Sequence, residues 1–299
     1  MLERLRQRGS ESAAVVDQLR EEVKALSAVV EGLSEEMASW RELAAPGPER
    51  PLILDGAARD GSSRRVLCSF AVGPYVELLA ISSITFEAYA ALHGYDLRLS
   101  TQLLAPDRPP AWSKIALVRQ LLERYDEVLW VDADAIFLDI SKDIADLIRS
   151  DKDLYLVEHI WAENDSWRAA NTGVFLVRST DWSRRFLDRV WMAERFIDHA
   201  WWENAAVLDL LGYELAPDLT PPRKLRQTEL DERVELIGLE WNSTAGASLA
   251  AHPRIRHHGR SSDMADLRGR LLADLITFRR SLATHGAPAA TRAQLAAPS

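Results

Sequence analysis

Two aspartates close a run of apolar residues: Val128-Leu129-Trp130-Val131 leads directly into Asp132, Ala133 and Asp134. Carboxylates two residues apart on an extended backbone point the same way. Side by side they repel, and each raises the other's pKa unless a cation lies between them. Hard oxygen ligands of this kind suit magnesium or manganese, whose other positions go to substrate phosphates. A cation held there neutralises the charge that grows on a departing nucleoside diphosphate. The competing reading, a pair of solvated loop aspartates, fits poorly with the buried strand that precedes them.

The surrounding pattern says how such a pair would be held. Val66–Val72 reads as a buried strand, and Tyr75–His93 as a helix ended by Gly94. Further strands are expected at Asp96–Leu99, Glu127–Asp132, Leu154–Val157 and Gly173–Arg178. Helices are expected at Trp112–Arg124, near Ile144–Ile148, and over about 181–198 and 203–212. This alternation predicts an α/β fold, a mostly parallel sheet covered by helices. Ligands then sit beyond the carboxyl ends of the strands. Ser69 and Phe70, closing the first of those strands, join Asp132 and Ala133 as candidate nucleotide-contacting positions.

Taken alone, Asp132-x-Asp134 admits two enzymes. One is the Asp-x-Asp of GT-A glycosyltransferases; the other is the start of a haloacid-dehalogenase-like phosphatase, with Asp132 as phosphorylated nucleophile. The neighbouring motifs separate them. Ala88-Tyr89-Ala90 and His93-Gly94-Tyr95-Asp96 come first, then Trp112-Ser113-Lys114-Ile115 with Arg119. After the aspartates stand Asn171-Thr172-Gly173-Val174-Phe175-Leu176-Val177-Arg178, then Glu203-Asn204, then His257-His258-Gly259-Arg260. In that order they resemble the retaining galactosyl-, mannosyl- and xylosyltransferase family of yeast Golgi and plant xyloglucan enzymes, over residues 65 to 262.

The resemblance implies a GT-A, Rossmann-like fold and a nucleotide-sugar donor, UDP-sugar favoured over GDP-sugar. It implies that Asp132, Asp134 and His257 hold manganese or magnesium. The family's His-Phe-x-Gly is one residue longer than His257-His258-Gly259, which keeps His258 as the alternative ligand. Lys114 or Arg260 would neutralise the diphosphate, although Lys114 has a second reading on a solvated helix face. Asn171 would face the sugar, and Glu203 with Asn204 would stabilise an oxocarbenium-like donor. Asn204 stands where the family usually has the longer Gln. The phosphatase needs a late Asp-Asp pair that is not evident. A third reading, a scaffold whose domain only binds nucleotide sugar, has no need of all three ligands.

Of 299 residues 47% are hydrophobic and 27% charged, and the net charge is −9. Lys and Arg form no stripe, which argues against nucleic acid. Val16, Leu19, Val23, Leu26, Val30, Leu33, Met37 and Trp40 keep a/d register, so residues 1–43 read as a coiled coil that makes a homodimer, while Val15 and Val29 at g leave open a trimer or docking onto the globular domain. Residues 44–62, rich in proline, read as a linker, 63–282 as the transferase domain, and 283–299 as a disordered tail. The single cysteine, Cys68, reads as a buried strand residue. With a charged N-terminus and no uncharged apolar run of about 18 residues, it predicts a cytoplasmic protein without a membrane span. Six of ten tryptophans fall between Trp161 and Trp202. Of these, Trp161, Trp167 and Trp202 are the candidates for an acceptor groove.

Overall fold

The computed structural model describes Lys24, residues 53–56 as backbone, and residues 64–160, 168–218, 220–245, 249–259 and 263–285, the last three as backbone only. The coiled-coil heptads, residues 44–52 and 57–62 of the expected linker, Trp161, Trp167, Arg260 and residues 286–299 lie outside the described residues, whereas residues 53–56 of that linker form a strand.

The described domain is built on a seven-stranded sheet in the order β1-β3-β2-β4-β7-β6-β10. Its strands are β1 (Ile53–Gly56), β2 (Arg65–Phe70), β3 (Asp96–Ser100), β4 (Glu127–Val131), β6 (Leu154–Ile160), β7 (Arg168–Arg178) and β10 (Val234–Ile237). Pairing is parallel for β2 with β3, β2 with β4, and β6 with β10. It is antiparallel for β1 with β3 and for β7 with both of its neighbours. Five strands thus share one direction while β1 and β7 oppose it, so the sheet is mostly parallel. A two-stranded ribbon pairs β8 (Tyr213–Glu214) with β9 (Arg223–Lys224), and a three-stranded sheet, β11 (Ser243–Thr244), β12 (Ile255–His257) and β5 (Ala135–Phe137), lies beyond the end of β4.

Helices cover both faces, which is why the central strands are apolar on every residue rather than on alternate ones. Val66, Cys68, Val128, Trp130, Phe175 and Val177 form one core with α2 (Ser113–Leu121), α3 (Asp181–Trp191) and α4 (Trp202–Leu210). Across the sheet, α1 (Tyr75–His93) packs on β2, β3 and β5 and meets the C-terminal helix α5 (Met264–His285). Gly94 ends α1 at φ 75°, a conformation open to glycine, with its N–H donating to the Ala90 carbonyl. By length and composition α1 would suffice to cross a membrane, yet 67% of its apolar window is buried inside this domain. Its polar residues show why. Ser82 Oγ donates to the Ala133 carbonyl (2.8 Å) and Thr85 Oγ1 accepts from Phe137 N–H (3.2 Å). The helix therefore grips the backbone on which Asp132 and Asp134 sit.

Several elements differ from expectation. The Trp112–Arg124 helix begins as a 3₁₀ turn at Pro110–Trp112 and is α-helical only over Ser113–Leu121. Ile144–Leu147 is 3₁₀, and the helix expected to reach 198 stops at Trp191 before another 3₁₀ turn at Glu194–Phe196. Neither α5 nor the small sheet was expected. Leu267, Leu271, Leu275 and Phe278 line the buried stripe of α5, which continues through His285.

His159 on β6 is a buried structural histidine whose Nε2–H donates to the Asn242 carbonyl (2.8 Å). Burial pushes its pKa down to about 4 from the ordinary 6.5. Between those values the unfolded state binds the extra proton, so stability is full above pH 6.5 and falls as the pH drops towards 4. The whole effect is at most about 3 kcal/mol. His159→Asn is expected to flatten that part of a urea-stability profile taken across pH.

Candidate active site

The carboxyl end of β4 is where the two sheets meet. Asp132, Ala133 and Asp134 form the turn that carries the chain from β4 to β5, closed by Ala135 N–H donating to the Asp132 carbonyl (3.0 Å). The two carboxylates therefore converge through a tight turn, not through the alternation of an extended strand as expected. His257 ends β12, directly opposite Ala135 in the small sheet. That register brings His257 Nε2 to 3.3 Å from Asp134 Oδ1 and 3.9 Å from Asp132 Oδ2. One ligand atom from each of the three lies within 4.8 Å of the others. Neighbouring ligands on an octahedral ion with bonds of about 2.1 Å stand about 3 Å apart, and opposite ligands about 4.2 Å. The two carboxylates and the imidazole therefore fit a small divalent cation, and the added nitrogen suits manganese.

His258 takes no part in this cluster. Its Nε2 contacts Asp274 Oδ2 at 2.9 Å, which turns the ring toward α5, while its N–H donates to the Asp134 carbonyl (3.0 Å). Between the two histidines, geometry selects His257.

Lys114 lies in the first turn of α2, buried rather than on a solvated face. Its ammonium meets Asp132 Oδ1 (3.0 Å), Glu203 Oε1 (2.8 Å) and the Thr172 carbonyl (3.0 Å), one acceptor for each of its three protons. Trp130 Nε1–H donates to the same Asp132 Oδ1 (2.6 Å), which leaves Oδ2 as the oxygen nearer His257. Three carboxylates and one ammonium leave two negative charges uncompensated among these side chains, the charge of one divalent ion. Burial opposes protonation of His257, but Asp134 and then Asp132 overcome it and hold the pKa above the ordinary imidazole value. Burial likewise works to raise Asp134, yet His257 keeps its carboxyl below the usual range. For Glu203 burial wins over the Lys114 charge and the pKa rises.

Lys114→Met leaves Asp132 and Glu203 without their shared cation. Removing one partner of a buried pair costs about 3–5 kcal/mol, and that loss is expected in urea melts of the variant.

β7 contributes through an irregularity. Leu156 pairs with Phe175 but the next residue, Val157, pairs with Asn171, so Thr172, Gly173 and Val174 bulge out of the ladder with β6. Bulges of this kind re-aim side chains and backbone groups. The Gly173 carbonyl accepts from Asp132 N–H (2.8 Å), while Gly173 N–H donates to Asn171 Oδ1 (2.8 Å). Thr172 joins β7 to α4: its N–H donates to Asn204 Oδ1 (2.9 Å) and its Oγ1 to Glu203 Oε1 (3.2 Å). Both α4 residues are buried, and Asn204 Nδ2 has no hydrogen-bond partner among the described residues. Just before them Trp202 holds φ 45°, rare for a bulky residue and a form of strain that clusters at functional sites.

The other expected positions are arranged differently. Ser69 is fully buried at the end of β2 and its hydroxyl has no hydrogen-bond partner among the described residues. Phe70 packs in the core with Trp130. Ala133 contributes its carbonyl to Ser82. Cys68 is buried on β2 with its thiol pKa pushed up by that burial, as expected of a structural residue. Asn242, absent from the sequence reading, sits between His257 and Asn171: His257 Nδ1 meets its Oδ1 (2.9 Å), and its Nδ2–H donates to Asn171 Oδ1 (2.8 Å). Nothing in the motif pattern marks it, because the three residues are far apart in sequence.

Residues 86–218 match the model of the galactosyl transferase GMA12/MNN10 family. Galactomannan galactosyltransferase 1 of Cyamopsis tetragonoloba is 36% identical over 112 residues, covering 35% of this chain and 25% of that protein. Xyloglucan 6-xylosyltransferase 1 of Arabidopsis thaliana is 31% identical over 157 residues, covering 50% of this chain and 32% of that protein. The chain thus spans about a quarter to a third of the length of these relatives. A crystal structure of a glycosyltransferase involved in glycosylation of the major capsid of PBCV-1 superposes with a TM-score of 0.51. It is 15% identical, with 70% of this chain and 98% of that one covered. The expected cytoplasmic placement is overturned by the relatives, which include plant galactomannan and xyloglucan glycosyltransferases. The physical reason is that one buried, unreactive thiol is equally at home in an oxidising or a reducing compartment. By motif, family match and architecture, this chain carries a domain of the GT-A glycosyltransferase fold, whose residues 86–218 resemble the galactosyl transferase GMA12/MNN10 family.

Proposed function

We propose that the domain transfers a sugar, with retention of configuration, from a nucleoside-diphosphate sugar to a glycan or small-molecule acceptor. UDP-sugar is the favoured donor, in keeping with the galactosyl- and xylosyltransferases among the relatives. The observation that carries the reading is the convergence of Asp132, Asp134 and His257 at the carboxyl end of β4. Manganese or magnesium bound by them would neutralise the charge on the departing diphosphate. Lys114 holds the Asp132 and Glu203 carboxylates in place. Asn171 has its Oδ1 spent on Gly173 and Asn242, which leaves its amide donors for a sugar hydroxyl. Asn204 keeps a buried unspent donor beside the buried Glu203 carboxylate, groups suited to an oxocarbenium-like donor. Arg260 adds a positive charge for the diphosphate. Trp202, and Trp161 with Trp167, border the acceptor. The a/d heptads of residues 1–43 associate two copies. Neither the phosphatase nor the scaffold is favoured: the fold match is to a glycosyltransferase, and both protein faces of Asp132 Oδ1 are already engaged.

Thermal shift with UDP, GDP, ADP and CMP, with and without manganese, tests the donor site. A manganese-dependent rise with one nucleoside diphosphate supports it and names the base. A folded protein that responds to none of the four sinks the donor assignment.

A further inference from the structure

We infer that Asn242 is a positioning residue that sets the tautomer of His257 and ties the cation ligand to the sugar-facing Asn171. The argument starts from a group whose role admits no choice. Gly173 N–H can only donate, and it lies 2.8 Å from the Asn171 side-chain atom it meets, which must therefore be the oxygen. That oxygen also receives Asn242, at 2.8 Å, so the Asn242 atom facing it is the NH₂ group. The other end of the Asn242 amide, its oxygen, then faces His257 Nδ1 at 2.9 Å. An oxygen accepts, so Nδ1 carries the proton. The Nε2 lone pair is left on the side of Asp134 Oδ1, 3.3 Å away, and Asp132. A lone pair facing carboxylates at that distance is stabilised by a cation between them.

Tautomers and amide orientations are usually chosen by optimising a network. Here one backbone donor propagates a single solution through four groups. Asn242 is itself fully buried, and its carbonyl is anchored by His159. It stands immediately before β11, whose Thr244 lies opposite His257. The amide is thus held at both ends of the residue, and it cannot turn over without placing NH₂ against the Nδ1 proton and oxygen against oxygen. One consequence is a division of labour. The amide oxygen serves the cation site, while the amide nitrogen serves Asn171.

This inference rests on the transferase reading only for what the cation does, so the test reads the imidazole directly. Metal-free protein labelled with ¹⁵N-histidine, at a pH high enough to leave the ring neutral, is expected to show His257 protonated on Nδ1, with His257→Gln assigning the resonance. Asn242→Asp keeps an acceptor for Nδ1–H but loses the donor to Asn171. It should keep the tautomer and hold manganese affinity, read by electron paramagnetic resonance without donor, within about threefold, while transfer falls. Asn242→Ala should mix the tautomers and weaken manganese about 10–100-fold, the usual effect of losing such a partner. Circular dichroism checks that each variant is folded. An Nε2–H tautomer in the parent protein overturns the inference, as does an Asn242→Asp variant that loses manganese as badly as Asn242→Ala. A parent protein with the Nδ1–H tautomer that binds no manganese upholds it and counts against the transferase reading instead.

Discussion

Asp134→Asn is expected to lower transfer by about 1,000-fold, which is about 4 kcal/mol of transition-state stabilisation. The residue is buried, its carboxylate lies 3.3 Å from His257 Nε2, and it supplies one of the two uncompensated charges at the site. Asn matches it in shape, so the backbone turn from Asp132 to Ala135 has no reason to change. What goes is charge: a divalent ion loses a hard anionic ligand and keeps Asp132 and His257 alone. The clearest readout is thermodynamic. A ligand at 100 times its Kd stabilises the folded state by about 2.7 kcal/mol. Asp134→Asn should forfeit the rise in melting temperature that manganese and nucleotide give the parent protein, with its melting temperature in chelator little altered. A variant that still responds to manganese like the parent would show that the ion, or the nucleotide, binds elsewhere.

Gly173→Ala is expected to be as damaging, though it adds one carbon and alters no charge. A Cβ there would lie 2.3 Å from His257 Cε1, 2.6 Å from its Nδ1 and 2.8 Å from Asn171 Oδ1. Contacts so short force something to move. The Gly173 carbonyl is bonded to Asp132 N–H and its own N–H to Asn171, so the bulge cannot retreat without disturbing the aspartate turn. His257 would have to swing out instead, breaking its contact with Asn242. Overpacking of this kind costs about 1–3 kcal/mol of stability. A ligand displaced by about 1 Å costs about 100-fold in rate. Reduced manganese affinity together with a lower melting temperature is the expected outcome. Parent-like affinity would mean that the ring accommodates the methyl group, and that the close approach at Gly173 is not needed for the site.

These two residues differ in how legible they were. Asp134 announced itself, because a pair of acids at the end of an apolar strand is costly unless something cationic balances it. Gly173 was noticed as a place for close approach, but the partner it admits, His257, is brought there by the small sheet. The main strands and α1 were readable for a related reason. Elements buried on both faces are continuous apolar runs bounded by glycine, proline and charge, and that signal is local. The 3₁₀ turns and the early stop of α3 were not, since the balance between α and 3₁₀ winding depends on what each turn packs against.

Lys114 and Asn242 mark the limit of the local signal. On a helix, lysine is at home in water, and only the tertiary structure turns this one inward to meet two carboxylates and a carbonyl. Asn242 had no visible pattern at all, because its partners lie 71 and 15 residues away. The sequence by itself determined the alternation of strands and helices, the Asp132–Asp134 pair and the order of motifs that resembles a transferase family. Only the tertiary structure decided which histidine joins the aspartates, which carboxylate oxygen is spent on Lys114 and Trp130, and which groups hold the ligands still. The physical reason is that burial and strand propensity are properties of neighbouring residues. Coordination and hydrogen-bond polarity, by contrast, are properties of pairs that meet only once two sheets have closed on one another.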